Sequence, residues 1–203
     1  MGKRKAPGQL RVLATNEQMR LLDYLKQHQS FRDYTLVALC LRTGLRNAEA
    51  RGTNVGDVMK FNAIVNTLEV RPEISKNGVA RRIPLVEEMR KILKIYIQWK
   101  VDHHEPIEHN EPLFLTQRTK QRLGERDFQR IVLDASKASI GMKFTPHDLR
   151  HTFATELYQA TGDLEAVRIA LGHSSLKATQ IYMHTSPDQL RERFERAFSK
   201  TKL

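Results

Sequence analysis

The chain has a single cysteine, Cys40, among its 203 residues, which excludes an internal disulfide. Leu39 and Leu41 flank it, so Cys40 reads as a small packed hydrophobe rather than a reactive thiol. No apolar run approaches the roughly 20 residues that a helix needs to cross a bilayer. The N-terminus, Met1-Gly2-Lys3-Arg4-Lys5-Ala6-Pro7-Gly8, is basic with no apolar stretch behind it, so no secretory signal is expected. Internal repeats and low-complexity segments are missing as well. Acidic residues are scarce: 23 Asp and Glu stand against 34 Lys and Arg, a formal charge of +11 with a pI near 9.9. That surplus favours a polyanionic partner, and nucleic acid suits it better than a membrane surface. The expectation is a cytoplasmic protein with no membrane association.

The length suits one domain. Residues 1–12 lack an apolar period and read as a flexible basic tail, leaving residues 13–203 as the domain. Thr15 with Gln18 predicts a capping box ahead of Met19, Leu22 and Leu25 at helical spacing. Ser30 with Asp33 starts a more apolar helix through Tyr34, Val37, Ala38 and Leu41, and Gly44 suits the left-handed position that ends it. Residues 45–50 begin another helical turn, which carries Arg46. Over residues 55–85 the period becomes alternating: Leu68, Val70 and Ile74, then Val79, Arg81, Ile83 and Leu85. Asn77-Gly78 between these runs predicts a hairpin with Lys76 at its turn, and Pro72 and Pro84 belong at edges or strand ends. Helices resume with Val86, Met89, Leu93, Tyr96 and Lys100. Residues 102–112 form a polar loop, and residues 113–115 a short strand. Phe128, Ile131, Val132 and Ala135 mark a further helix ending near Gly141. Thr145 caps the next, with Pro146 in first position and Asp148 completing the box. Asp163 opens a helix through Leu164, Val167 and Leu171, which Gly172 stops. The fold class is α+β, mainly α-helical, with one small antiparallel sheet.

The chemistry-bearing residues are cationic or proton-carrying, plus one phenol. His147 and Arg150, three apart, share a helix face in a first turn where backbone N–H groups and the dipole favour an anion. Taken singly, His147 could cap its own helix and Arg150 could pair with Asp148 or Glu156. Arg46 offers a planar fork to two phosphate oxygens, or a local ion pair to Glu49. Lys76 is either an ordinary exposed turn lysine or a proton donor on a mobile loop; Lys60 is the other lysine nearby and is not expected at a turn. His173 follows the helix break at Gly172, and Ser174-Ser175 can cap what comes next. Tyr182 lies nine residues after His173, and tyrosines beside apolar helix ends are commonly core residues. A phenol titrates near ~10, so it attacks phosphorus only with cations or a base at hand. No second carboxylate, reactive cysteine or metal-ligand cluster competes for the role.

In this order and spacing, Arg46, Lys76, His147-x-x-Arg150, Leu171-Gly172-His173 and Tyr182 resemble the signature of the tyrosine recombinases, or phage-type integrases. Longer phrases carry the resemblance too: Thr43-Gly44-Leu45-Arg46-x-x-Glu49, residues 145–155 around His147-Asp148-Leu149-Arg150-His151, and Leu171-Gly172-His173-Ser174-Ser175. It runs from about Leu13 to the C-terminus. It implies a catalytic-domain helical bundle with a small antiparallel sheet. It also implies that Tyr182 attacks the scissile phosphate of double-stranded DNA and keeps a 3′-phosphotyrosyl bond. Lys76 would protonate the leaving 5′ oxygen, Arg46 and Arg150 would hold the non-bridging oxygens, and His147 and His173 would assist. No cofactor and no metal is implied. Type IB topoisomerases share the tyrosine chemistry but resemble Lys-x-x-Arg where this chain has His147-x-x-Arg150. A non-catalytic DNA-binding module would be expected to lose the tyrosine or an arginine.

Larger relatives carry a helical DNA-binding domain ahead of the catalytic one, whereas this chain starts almost at the catalytic domain. It is similar in size to the fimbrial-switch invertases, and a truncated form fits equally. After the tyrosine, Ser186-Pro187-Asp188-Gln189 resembles a helix start, followed by the stripe Leu190, Phe194 and Phe198. The stripe either packs on its own domain or, as the resemblance implies, docks on a neighbouring subunit. A homo-oligomer on DNA, a tetramer, is the implied assembly, with accessory DNA-bending proteins as further partners.

Overall fold

Helix α1 (Thr15–His28) buries Gln18, Leu21 and Leu25 on one face, while Met19 points outward. Its start differs from the expected box. Thr15 is already helical, Glu17 accepts from the Ala14 N–H at 2.8 Å, and Gln18 turns inward to the Leu13 carbonyl at 3.1 Å. The acid one residue nearer the end takes the free N–H, which releases the amide for a buried bond. The computed structural model describes residues 11–28, 30–182 and 191, so the stripe from Leu190 to Phe198 and most of the basic tail lie outside the described residues. Arg11, inside the expected tail, donates to the Lys143 carbonyl and lies over the Phe144 ring.

The chain forms two units, residues 1–153 and 154–203. In the first, α2 (Phe31–Thr43) is the central helix: Leu36 through Leu41 are all buried. Ser30 caps it by accepting from the Asp33 N–H, and Gly44, at φ 62°, ends it as expected. Around α2 pack α1, α3 (Asn47–Gly52) and α5 (Glu87–Asp102), while α6 (Glu125–Ile140) packs on α1 and α3. Burial of so many Leu, Ile and Phe side chains, at ~1.5–3 kcal/mol each, is what holds these short helices together.

Residues 55–85 depart from a simple alternating hairpin. Val55–Val58 forms a helical turn, α4, because Asp57 reaches back to the Asn54 N–H at 2.8 Å and caps it. Strands β1 (Met59–Lys60) and β2 (Ala63–Ile64) then pair across Phe61 and Asn62, both at positive φ (50° and 59°). That is the primed geometry of tight hairpins, here with a phenylalanine where asparagine or glycine is usual. A second pair, β3 (Thr67–Val70) and β4 (Arg81–Pro84), runs antiparallel with Val70 opposite Arg81. The single expected sheet is thus two separate two-stranded ones. Asn77-Gly78 is not a two-residue hairpin turn: residues 71–80 separate the strands, and Gly78 (φ 64°) makes a local turn inside that loop.

Residues 113–115 are buried but form no regular strand. Their backbone bonds go to separate segments, the Leu113 N–H to the Thr53 carbonyl at 3.0 Å and the Leu123 N–H to the Phe114 carbonyl at 3.1 Å. Side chains add to these: Arg32 donates to the Leu115 carbonyl at 2.7 Å and Tyr96 to that of Leu113 at 3.2 Å. Helix α7 (Pro146–Thr161) opens as read, with Asp148 accepting from the N–H and hydroxyl of Thr145 at 2.8 and 2.7 Å. In the second unit, Asp163 caps α8 (Leu164–Leu171), and Gly172 at φ 63° closes it. Short 3₁₀ turns follow at Leu176–Ala178 and Gln180–Tyr182; Ser175 precedes the first without a side-chain capping bond.

Candidate active site

The turn after α2 organises the first group of residues. Gly44 reverses the chain in a left-handed conformation that costs glycine little, and its carbonyl accepts from Arg150 Nη1 at 2.7 Å. Two residues on, Arg46 occupies the N-cap of α3. Its N–H donates to Glu49 Oε2 at 2.7 Å and its guanidinium to Glu49 Oε1 at 2.8 Å. The local ion pair considered from the sequence therefore forms. It is also only part of what Glu49 does.

Glu49 is fully buried and is the hub of three guanidiniums. Arg81, the first residue of β4, binds it as a fork, Nη1 to Oε1 at 2.8 Å and Nη2 to Oε2 at 2.6 Å. Arg150 Nη1 lies 3.8 Å from Oε2. Burial alone would raise the Glu49 pKa. The hydrogen bonds and charge of Arg81, then the Arg46 backbone and side chain, outweigh it and bring the carboxyl down to about 2. One anion thus fixes two of the expected phosphate-binding arginines and a third that the sequence showed only as an alternating strand residue. Arg150 is buried, while the Arg46 side chain keeps 23 % of its surface in solvent.

His147 is exposed on the first turn of α7, and its ring meets that of His151 edge-on at 4.1 Å between centroids. Lys76 is exposed within residues 71–80. Lys60, expected away from any turn, immediately precedes the Phe61-Asn62 turn and lies 4.0 Å from Glu69.

The remaining two residues belong to the second unit. The Gly172 reversal lets the His173 N–H reach the Arg168 carbonyl at 3.1 Å, and Arg168 Nη1 donates back to the His173 carbonyl at 2.8 Å. His173 Nδ1 shares a hydrogen bond with Thr179 Oγ1 at 3.0 Å, and the Thr179 carbonyl accepts from the Tyr182 N–H at 3.1 Å. Thr179 is buried, so this fully enclosed hydroxyl connects the histidine to the turn that carries the tyrosine. Tyr182 itself is 4 % exposed. Thr179 escaped sequence reading because a threonine three residues before a tyrosine carries no chemical signal of its own.

Among the described residues, no group of His, Cys, Asp and Glu is placed to hold a metal ion, and no helix is long and apolar enough to cross a membrane. Cys40 is buried in α2, and that burial raises its thiol well above the ordinary range.

The model of the phage integrase family matches residues 11–189. The tyrosine recombinase XerD of Staphylococcus saprophyticus is 34 % identical over 185 residues, 90 % of this chain and 61 % of that protein. XerC of Corynebacterium glutamicum is 34 % identical over 171 residues, 84 % of this chain and 52 % of its own. The chain therefore spans somewhat more than half the length of these relatives. Among solved structures, XerA recombinase superposes with a TM-score of 0.74 at 29 % identity, covering 100 % of this chain and 68 % of that one. XerH recombinase bound to palindromic difH substrate, in a post-cleavage complex, gives 0.73 at 25 % identity, covering 95 % and 55 %. With the family model covering most of its length and the fold matching, this chain belongs to the phage integrase family of tyrosine recombinases.

Proposed function

We propose that this chain is the catalytic part of a site-specific DNA recombinase that cuts and rejoins strands through a 3′-phosphotyrosyl intermediate. The observation that carries this reading is the convergence of Arg46, Arg81 and Arg150 on the buried carboxylate of Glu49. A site that concentrates guanidinium charge and fixes its direction before the ligand arrives is what a scissile phosphate requires. In the reading, Arg46 and Arg150 take the non-bridging oxygens. The phenolic oxygen of Tyr182 forms the new bond to phosphorus as the bond to the 5′ oxygen breaks. The phenolic proton passes to an imidazole of the site, and Lys76 delivers a proton to the departing oxygen. His147 and His173 assist proton transfer and phosphate binding. The phosphotyrosyl bond conserves the diester's free energy, so rejoining reverses the same steps. A +11 chain suits double-stranded DNA as the partner, and the XerH complex contains a DNA substrate. The proposal extends to action in the cytoplasm as a homo-oligomer on DNA, a tetramer, together with accessory DNA-bending proteins, as the family resemblance implies.

The test uses nicked suicide duplexes whose short leaving strand diffuses away after cleavage, trapping the covalent adduct. The sequence is obtained by letting the unsubstituted chain capture members of a random pool. Tyr182→Phe should form no adduct and retain DNA affinity, since it removes only the nucleophilic oxygen. An adduct that persists in Tyr182→Phe refutes the assignment.

A further inference from the structure

The loop that carries Lys76 is fastened to α3 at three points, and α3 is the helix that Arg46 caps. At its entrance, Arg71 Nε donates to both carboxylate oxygens of Asp57, at 2.9 and 3.1 Å, and Arg71 Nη2 donates to the Gly52 carbonyl at 2.9 Å. At its exit, Arg81 forks onto Glu49. The two acceptors are equivalent in kind: Glu49 and Asp57 each sit three residues into a short helix and also accept from the N-cap N–H. Each carboxylate thus fixes a helix end and one end of the loop together.

The third point lies between these clamps. Ile74 packs against the core, and its side chain rests directly on Gly52, the last residue of α3. A β-carbon built at Gly52 would come 2.5 Å from Ile74 Cγ2 and 3.0 Å from its Cβ. The Gly52 backbone is helical, so alanine would be unstrained in itself. A β-branched side chain, close to its own backbone, cannot swing clear of such a contact. The loop would have to lift instead.

We propose that Gly52, Arg71 and Arg81 are positioning residues that seat the Lys76 loop on α3, so that proton donor and phosphate-binding arginine are presented as one preassembled surface. The inference rests on the reading that Lys76 protonates the leaving 5′ oxygen. A catalytic group displaced by an ångström forfeits much of its contribution, so these residues act on the rate through Lys76.

Gly52→Ala tests this on two nicked duplexes of the captured sequence, one natural and one with sulfur replacing the bridging 5′ oxygen. A thiolate leaves without being protonated, so the sulfur substrate needs no Lys76. Gly52→Ala should slow adduct formation on the natural substrate by at least ~10-fold, towards the ~10²–10⁴ that a positioned proton donor supplies. It should react at the unsubstituted rate on the sulfur substrate, as Lys76→Ala should. Hydrogen exchange of the free chain should show faster exchange over residues 71–80 and unchanged protection of α2. Arg71→Lys, which keeps the charge on Asp57 but cannot also reach the Gly52 carbonyl, should give the same pattern and carries the test if Gly52→Ala does not fold. Equal slowing on both substrates, or unchanged rates on the natural one, overturns the inference while leaving the functional reading intact. Failure of the unsubstituted chain to form any adduct takes down both.

Discussion

Replacing Glu49 with glutamine should expose how much the cluster depends on one negative charge. The amide keeps the shape and one acceptor, but it turns an NH₂ towards guanidinium groups and leaves three cations without their anion. The pKa of Glu49 falls from the ordinary 4.5 to about 2; at about 1.4 kcal/mol per pH unit this is roughly 3 kcal/mol of folded-state preference for the carboxylate. Loss of one partner from a buried pair costs a similar ~3–5 kcal/mol. Because the folded pKa is depressed, this contribution is complete above the unfolded value and fades as pH falls towards the folded one. At about pH 3.5, unfolded Glu49 is ~90 % protonated and roughly 1.4 kcal/mol has gone. Urea unfolding of the chain and of Glu49→Gln should therefore differ by about 3 kcal/mol near pH 7 and by about 2 near pH 3.5. Comparing the two proteins at each pH cancels every other titrating group. A difference under about 1 kcal/mol, or one independent of pH, would refute the reasoning.

Arg150→Lys keeps a positive charge but loses the planar fork and the 2.7 Å bond to the Gly44 carbonyl; single-turnover adduct formation should fall by ~10²–10³. Binding to the captured duplex should be steeply salt-dependent: with roughly 6–10 phosphate contacts, affinity measured by fluorescence anisotropy should drop ~10³–10⁵ between about 50 and 200 mM salt. A flat response would contradict the electrostatic basis of recognition.

The helices were legible because their ends carry local chemistry. Ser30 and Gly44 around α2, Thr145 and Asp148 before α7, and Asp163 and Gly172 around α8 do what their residue types dictate. The misreadings share a cause, which is a distant partner overriding a local signal. Asn77-Gly78 looked like the hairpin tip, but the clamps on Arg71 and Arg81 end the ladder at Val70 opposite Arg81 and hold a longer loop between. Residues 113–115 looked like a strand, yet their backbone bonds go to separate segments, Leu113 to Thr53 and Phe114 to Leu123, so only isolated bridges form. Arg32, more than 80 residues earlier in the chain, takes the Leu115 carbonyl. The site divides in the same way. The candidate residue types stand out by spacing, and so does Glu49 as the partner of Arg46 three residues before it. That Glu49 also gathers Arg81 and Arg150, and that Gly52 lies under Ile74, depends on contacts that no pattern of one-dimensional spacing displays.

A carboxylate at the centre of the proposed phosphate site cancels charge that the phosphate would otherwise meet. The balance runs the other way. Three guanidiniums pressed together in a buried space would repel one another and could not hold a fixed geometry. One anion lowers that repulsion, and its two oxygens aim the forks. It still leaves a surplus of two positive charges around Glu49. A phosphodiester carries one negative charge, and the five-coordinate species made by phenolate attack carries two. On the proposed reading, the cluster's surplus matches the transition state better than the ground state, which is the condition for binding energy to become rate. Removing Glu49 would add attraction for DNA at large while loosening the arrangement that distinguishes those two states, so a Glu49 variant should bind DNA at least as well and cleave it worse.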